Sequence, residues 1–240
     1  MEQNKPHLNY ILPNLFTAAS CFCGVVSILS SLNSNYKNAV FYIFLALIFD
    51  GLDGRVARLT KTTSKFGVEF DSLADLVAFG VAPAVFFYIS LGYEYGKIGT
   101  LCAGFFVVFG AIRLARFNVT TGTYEPSVFI GLPIPTAAIV SAIYTYAYLT
   151  YPFFQGFELV FVCLQLALAF AMVSNIRYPS FKTIDFRRAN MLKVLVLLIL
   201  TFSLLYVFTL ESLLIAASLY VLYGPLRTVY TLISTKFKKH

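Results

Sequence analysis

Long apolar runs fill most of this 240-residue chain, and short polar or proline- and glycine-containing breaks separate them. A helix needs roughly 20 mainly apolar residues to cross the hydrocarbon core of a bilayer. The pattern therefore predicts about eight transmembrane helices, at about residues 11–32, 37–58, 67–91, 96–117, 131–150, 156–174, 190–208 and 211–233. The expected architecture is an all-α, polytopic integral membrane helix bundle.

Basic residues are distributed unevenly among the links between these predicted helices. Sixteen of the 18 lysines and arginines fall on one side of the predicted membrane, and only Lys37 and Lys97 fall on the other. Because lysine and arginine accumulate in cytoplasmic links, both termini are predicted to be cytoplasmic. The net charge of +7 then reflects contact with anionic lipid headgroups and requires no nucleic acid partner.

The residue inventory limits the chemistry that such a bundle can perform. The only histidines, His7 and His240, lie near the termini, and the four cysteines fall in apolar segments. Cysteine in an apolar segment is usually a small buried hydrophobe. A metal site within the membrane would therefore use oxygen ligands, which favours Mg²⁺ or Mn²⁺.

Carboxylates interrupt two of the predicted membrane helices. Asp50 and Asp53 are three residues apart, and Asp71 and Asp75 are four apart, so each pair lies on one face of its helix. An aspartate at membrane depth costs about 2.5 kcal/mol or more, and it marks a functional site by default. Two adjacent antiparallel helices can bring all four carboxylates together, where divalent cations would neutralise their repulsion. The expected site holds two Mg²⁺ or Mn²⁺ ions near the cytoplasmic surface.

Small and basic side chains accompany the aspartates. The small residues leave room for a phosphate or nucleotide to approach the helix backbone, and they are Gly51, Gly54, Ala57 and Gly67. Arg58 offers a planar, permanently charged donor to phosphate oxygens, and Lys61 and Lys65 lie nearby in the chain. This combination indicates diphosphate chemistry.

Two other interpretations of the acidic cluster differ in class. It could form a buried ion-pair network that only holds helices together, or it could coordinate the passing ion of a cation transporter. A transporter would place its acids near the membrane midplane on discontinuous helices. Here they bracket a basic cytoplasmic link, which favours a site at the lipid headgroups.

The segment from Asp50 to Asp75 resembles the signature of the CDP-alcohol phosphotransferases, D-x2-D-G-x2-A-R-x8-G-x3-D-x3-D, and matches all eight of its specified positions. The resemblance implies that Asp50, Asp53 and Asp71 bind metal. It also implies that Asp75 deprotonates the acceptor alcohol and helps to hold a second metal ion. The expected reaction is a direct in-line displacement that releases CMP, without a covalent intermediate.

A second element of this family is similar to Pro13-Asn14-Leu15-Phe16-Thr17, at the start of the first span. By resemblance, Asn14 and Thr17 face the nucleotide or the metal. Without the resemblance, proline and asparagine would only mark a helix start, and threonine would be neutral filler.

Three further stretches bear on the acceptor alcohol: residues 111–118, 129–135 and 174–182. Together they resemble the membrane type of CDP-diacylglycerol–serine O-phosphatidyltransferases, a branch of this family. CDP-diacylglycerol and L-serine are then the expected substrates. The candidate acceptor-binding residues are Arg113, Arg116, Asn118, Arg177 and Lys182. An arginine fork suits a carboxylate, but it suits glycerol 3-phosphate equally well, so phosphatidylglycerophosphate synthesis stays open as an alternative.

The same resemblance sets the expected organisation of the chain. It extends over about residues 10–185, and helices at 190–233 add to this core within a single domain that covers residues 1–240. The family is usually homodimeric, so a homodimer is expected.

Overall fold

The computed structural model describes residues 8–60, 62, 64–120, 128–179 and 209–237. Eight α-helical segments dominate this part of the chain: α1 (Leu8–Leu32), α2 (Tyr36–Thr60), α3 (Lys65–Asp75), α4 (Ala82–Ser90), α5 (Gly96–Thr120), α6 (Ile134–Thr150), α7 (Glu158–Val173) and α8 (Thr209–Phe237). A π-helical turn, Leu76–Val81, joins α3 to α4 in one continuous helix. Short 3₁₀ turns precede α5 and α7.

The predicted helix positions agree with these bounds to within a few residues. The helix predicted at 190–208 lies outside the described residues, so the count of eight transmembrane helices stays a prediction. The expected all-α architecture is confirmed, and the described residues add to it only a short antiparallel pair, β1 (Val128–Ile130) and β2 (Arg177–Pro179). These strands lie in the polar links, where the apolar pattern predicted no regular structure.

Three of the described helices are long and apolar enough to cross a membrane: Ile11–Leu32, Lys65–Ser90 and Gly92–Thr120. Helix α7 is also apolar but shorter. Together with the 59% hydrophobic composition, these helices make the chain an integral membrane protein. In α2 the C-terminal half contains two aspartates and two arginines, which lower its hydropathy where the candidate site is built.

The described residues form two compact units. The described residues of one unit lie within Met1–Thr121 and Pro133–Val173, and those of the other lie within Gly122–Leu132 and Ser174–His240. All four candidate metal-binding aspartates belong to the first unit.

A stripe of small and hydroxyl-bearing residues on α1 packs against α2 and the π turn. Ser20 donates a hydrogen bond to the carbonyl oxygen of Ala46 (3.1 Å), and Ser27 donates one to that of Ala39 (2.8 Å). A Cβ atom at Gly24 would lie 2.7 Å from the Cα atom of Ala78, so only glycine permits this approach. Small residues and hydroxyl hydrogen bonds hold helices closely together in membranes, where lipid is as apolar as leucine.

The π turn follows directly after Asp75. A π turn contains an extra residue, which rotates the helix that follows it relative to the helix before it. Asp75 is buried just before this turn, Ala78 and Phe79 are fully buried within it, and Phe86 is fully buried after it. The turn thus lets an acidic face before it and an aromatic face after it both pack toward the interior of the unit.

In the second unit, the strand pair packs against α8. The amide of Gly131, which has a φ of +78°, donates to the carbonyl oxygen of Ile176 (2.8 Å) and closes the end of the pair. Tyr178 is fully buried and stacks on Tyr220, with ring centroids 5.8 Å apart. A Cβ atom at Gly224 would lie 2.5 Å from the Tyr178 ring, so the absence of a side chain in α8 makes room for the tyrosine.

Candidate metal centre

The carboxylates of Asp50, Asp53 and Asp71 converge between α2 and α3. One carboxylate oxygen from each residue lies within 4.8 Å of the other two. Hard divalent cations bind oxygen ligands at about 2.0–2.6 Å, so oxygens that share one ion lie at most about 5 Å apart. The three carboxylates therefore fit a divalent ion, and the described residues around them contribute oxygen rather than sulfur or imidazole ligands.

Asp75 lies one helical turn after Asp71 and is only 8% exposed. Its carboxyl group shares a hydrogen bond with that of Asp50, and it also interacts electrostatically with Asp71. The structure thus brings all four sequence-predicted acids together. Two carboxylates in direct contact repel each other when both are ionised, so they either share a proton or need a cation to neutralise them, and a metal ion can supply that positive charge.

Thr17 connects α1 to the acidic cluster. Its buried hydroxyl donates to Oδ2 of Asp53 at 2.7 Å and lies 3.2 Å from the carbonyl oxygen of Pro13, one turn earlier. Because a hydroxyl has one proton, the shorter contact to the carboxylate is the stronger of the two. Thr17 therefore orients a candidate metal ligand from the neighbouring helix.

Asn14 lies one turn earlier than Thr17 and reaches the first turn of α3. Ser64 caps that turn by accepting a hydrogen bond from the amide of Gly67 (3.0 Å). A Cβ atom at Gly67 would lie 3.3 Å from Oδ1 of Asn14 and 3.2 Å from Oγ of Ser64. Glycine at this position thus allows the Asn14 amide and the α3 backbone to come together.

The remaining residues predicted to bind diphosphate are Gly54, Ala57 and Arg58 on α2 and Lys65 on α3. A Cβ atom at Gly54 would meet no atom within 4 Å, so the backbone beside Asp53 is accessible. Ala57 is half-buried, whereas Arg58 and Lys65 are exposed. Arg58 lies one helical turn after Gly54 on α2, so one cationic side chain lies near the accessible backbone.

Arg113 is the buried cation of this site. Its side chain is 8% exposed and interacts electrostatically with both Asp50 and Asp75. The guanidinium carbon lies 5.5 Å from the ring centroid of Phe117, one turn later on α5, within the range of a cation–π interaction. Arg113 therefore lies beside the acid predicted to act as a base.

The other residues predicted to contact the acceptor occupy different environments. Arg116 donates to the carbonyl oxygens of Val173 (3.1 Å) and Met172 (3.2 Å), where it caps the end of α7. Asn118 donates from Nδ2 to Oγ of Ser72 (2.8 Å) on α3. Arg177 is exposed in β2 of the second unit, and Lys182 lies outside the described residues.

Sequence reasoning missed Ser72 and the π turn. Ser72 immediately follows Asp71, and a serine between two candidate metal ligands was a visible signal of a polar contact. Its partner is 46 residues away, however, so no local pattern identified the pair. Helical periodicity cannot reveal a π turn, because the apolar residues continue through it.

Comparison with known proteins identifies a clear similarity. The model of the CDP-alcohol phosphatidyltransferase family matches residues 10–176. A CDP-diacylglycerol–serine O-phosphatidyltransferase of Helicobacter pylori is 46% identical over 232 residues, which cover 96% of each chain. An enzyme of the same name from Bacillus subtilis is 37% identical over 73% of this chain and 93% of its own. An archaetidylserine synthase of Methanothermobacter thermautotrophicus is 37% identical over 75% of this chain and 74% of its own.

Replacing Thr17 with valine should weaken divalent metal binding. Valine keeps the shape of threonine but removes the hydrogen bond that orients Asp53, and loss of such a contact typically costs about 10–100-fold in metal affinity. Titration of the purified protein with Mn²⁺, followed by electron paramagnetic resonance, measures this loss. Thr17→Ser retains the hydroxyl and should bind Mn²⁺ as the wild type does. Equal affinity in Thr17→Val and wild type would exclude Thr17 as a positioning residue.

Proposed function

Because the chain belongs to the CDP-alcohol phosphatidyltransferase family, we propose that it transfers the phosphatidyl group of CDP-diacylglycerol to the hydroxyl of L-serine, producing phosphatidylserine and CMP. The observation that carries this proposal is the convergence of four acids in a chain that is 46% identical to a CDP-diacylglycerol–serine O-phosphatidyltransferase. The four acids are Asp50, Asp53, Asp71 and Asp75. The enzyme is a membrane-embedded transferase of phospholipid synthesis.

The donor would occupy the open side of α2. Asp50, Asp53 and Asp71, together with Asp75, would hold two Mg²⁺ or Mn²⁺ ions. When bound, these ions neutralise the charge of the diphosphate and of the departing CMP. Gly54 leaves the backbone accessible to the diphosphate, and Arg58 supplies a permanent positive charge at its edge.

Asp75 would act on the acceptor. Its carboxylate takes the proton of the serine hydroxyl as that oxygen forms a bond to the phosphorus of the phosphatidyl group. The bond from this phosphorus to the CMP oxygen breaks at the same time, and CMP departs with the bonding electron pair. Burial of Asp75 keeps water from competing with serine for the same proton transfer.

Arg113 would bind the serine carboxylate. It is the buried arginine that interacts with Asp75, so a carboxylate on its guanidinium fork would place the serine hydroxyl near the base. Asn118, near the end of the same helix, would also contact the serine. Arg116 is engaged with the end of α7, and its part would be to hold α5 in place.

The membrane arrangement follows from the charge asymmetry. Both termini, the basic link between α2 and α3 and the active site would face the cytoplasm, at the level of the lipid headgroups. We place the enzyme in the bacterial inner membrane as a single domain with about eight spans. Its core would extend over residues 10–185, with two more helices at 190–233, and two copies would form a homodimer.

The acceptor can be tested directly. The purified protein, given CDP-diacylglycerol, Mn²⁺ and labelled alcohols, should form phosphatidylserine and an equal amount of CMP from L-serine. Glycerol 3-phosphate should give little product, and omission of the metal should stop the reaction. Formation of phosphatidylglycerophosphate without phosphatidylserine would contradict the proposed acceptor while leaving the donor chemistry intact.

Replacing Asp75 with asparagine should abolish CMP release. Asparagine has nearly the same shape, but it cannot accept the proton of the serine hydroxyl, so the rate should fall by at least about 100-fold. Donor binding, measured with radiolabelled CDP-diacylglycerol, should persist because three acids remain. Glu69→Gln is the matched control, since Glu69 is exposed on the same helix. Wild-type CMP release by Asp75→Asn would refute the assignment of the base.

A further inference from the structure

Ser72 lies between Asp71 and Asp75 on α3, and two hydrogen bonds involve its hydroxyl group. Its Oγ lies 3.1 Å from the carbonyl oxygen of Val68, one turn earlier. The same oxygen lies 2.8 Å from Nδ2 of Asn118, in the last turn of α5. Ser72 has no predicted role in metal binding. Its contact with Asn118 links α3, which carries Asp71 and Asp75, to α5, which carries Arg113.

The single proton of the hydroxyl determines the direction of both bonds. A backbone carbonyl can only accept, so Ser72 donates to Val68 and has only lone pairs left for Asn118. Asn118 must then present its NH₂ group to Ser72. Its other polar atom, Oδ1, has no hydrogen-bond donor among the residues that the structure describes. Ser72 therefore selects one of the two orientations of the Asn118 amide.

An oriented amide discriminates between possible acceptors. A carbonyl-type oxygen accepts hydrogen bonds from an ammonium group, whereas an NH₂ group in its place would favour a phosphate or carboxylate oxygen. L-Serine has an ammonium group, and glycerol 3-phosphate has none. An Asn118 amide held with Oδ1 available would favour serine. An amide that can flip by 180°, exchanging Oδ1 and Nδ2, would lose that preference.

We infer that Ser72 is a specificity-determining positioning residue, which holds the Asn118 amide so that Oδ1 receives the ammonium group of L-serine. Arg113 takes the serine carboxylate at the same time, so both charged groups of the amino acid are recognised from α5. This inference rests on the proposed function, because it presupposes that L-serine is the acceptor.

The test is a steady-state comparison of variants at this pair, with L-serine and CDP-diacylglycerol varied in turn. Ser72→Ala removes the hydrogen-bond acceptor and should raise the KM for L-serine about tenfold, which is the effect of losing one charge-assisted hydrogen bond. The KM for CDP-diacylglycerol and the kcat should change little. The ratio of serine to glycerol 3-phosphate use should fall.

Two further variants separate positioning from a general structural effect. Ser72→Thr keeps the hydroxyl and should restore the wild-type KM for L-serine. Asn118→Ala should raise that KM, and the double variant Ser72→Ala with Asn118→Ala should match Asn118→Ala alone, because both substitutions remove the same interaction. Thr150→Ala is the control, since Thr150 makes the same kind of bond to a carbonyl one turn earlier (2.8 Å) and is exposed.

Several results would overturn the inference. A wild-type KM for L-serine in Ser72→Ala, or independent effects of the two substitutions in the double variant, would show that Ser72 does not act through Asn118. A loss of kcat with unchanged KM would place its action on Asp71 instead. Ser72→Cys, which provides a poor acceptor of similar size, applies the same test if the alanine variant does not fold. Absence of phosphatidylserine in the wild type would instead refute the proposed function, and the inference with it.

Discussion

Mutual repulsion of four carboxylates held close together is the constraint on which the rest of this structure depends. Asp50, Asp53 and Asp71 bring their oxygens within 4.8 Å of one another, and Asp75 shares a hydrogen bond with Asp50. A single buried cation, Arg113, interacts with this group within the described residues that surround it. One positive charge cannot balance four negative ones, so the described residues leave an excess of negative charge that divalent cations would neutralise.

The helices around this site are arranged to hold the acids despite that repulsion. The small-residue stripe of α1 packs closely on α2 and the π turn, and it places Thr17 in contact with Asp53. The π turn separates the acidic part of its helix from the aromatic part that fills the interior. At the end of α5, Arg116 binds the end of α7 and Asn118 binds Ser72. These contacts fix the distance between the proposed base and the proposed acceptor site.

Much of this arrangement could be predicted from the sequence, because its signals are local. The lengths of the apolar runs predicted the helices. The spacings of three and four residues predicted that each pair of aspartates shares one face of its helix. Contacts between distant segments could not be predicted in this way. The pairing of Ser72 with Asn118 spans 46 residues, and the capping of α7 by Arg116 spans 57. The β1–β2 pair was missed for a similar reason, since its two short strands are joined through two intervening helices.

Anomalous X-ray scattering at the manganese absorption edge, from crystals of the enzyme grown with Mn²⁺ and CDP-diacylglycerol, tests whether the four carboxylates hold metal beside the donor. We expect two anomalous peaks between α2 and α3, each bounded by carboxylates of Asp50, Asp53, Asp71 or Asp75, with the diphosphate beside them. No peak among these four residues, or bound CDP-diacylglycerol away from them, would contradict this expectation.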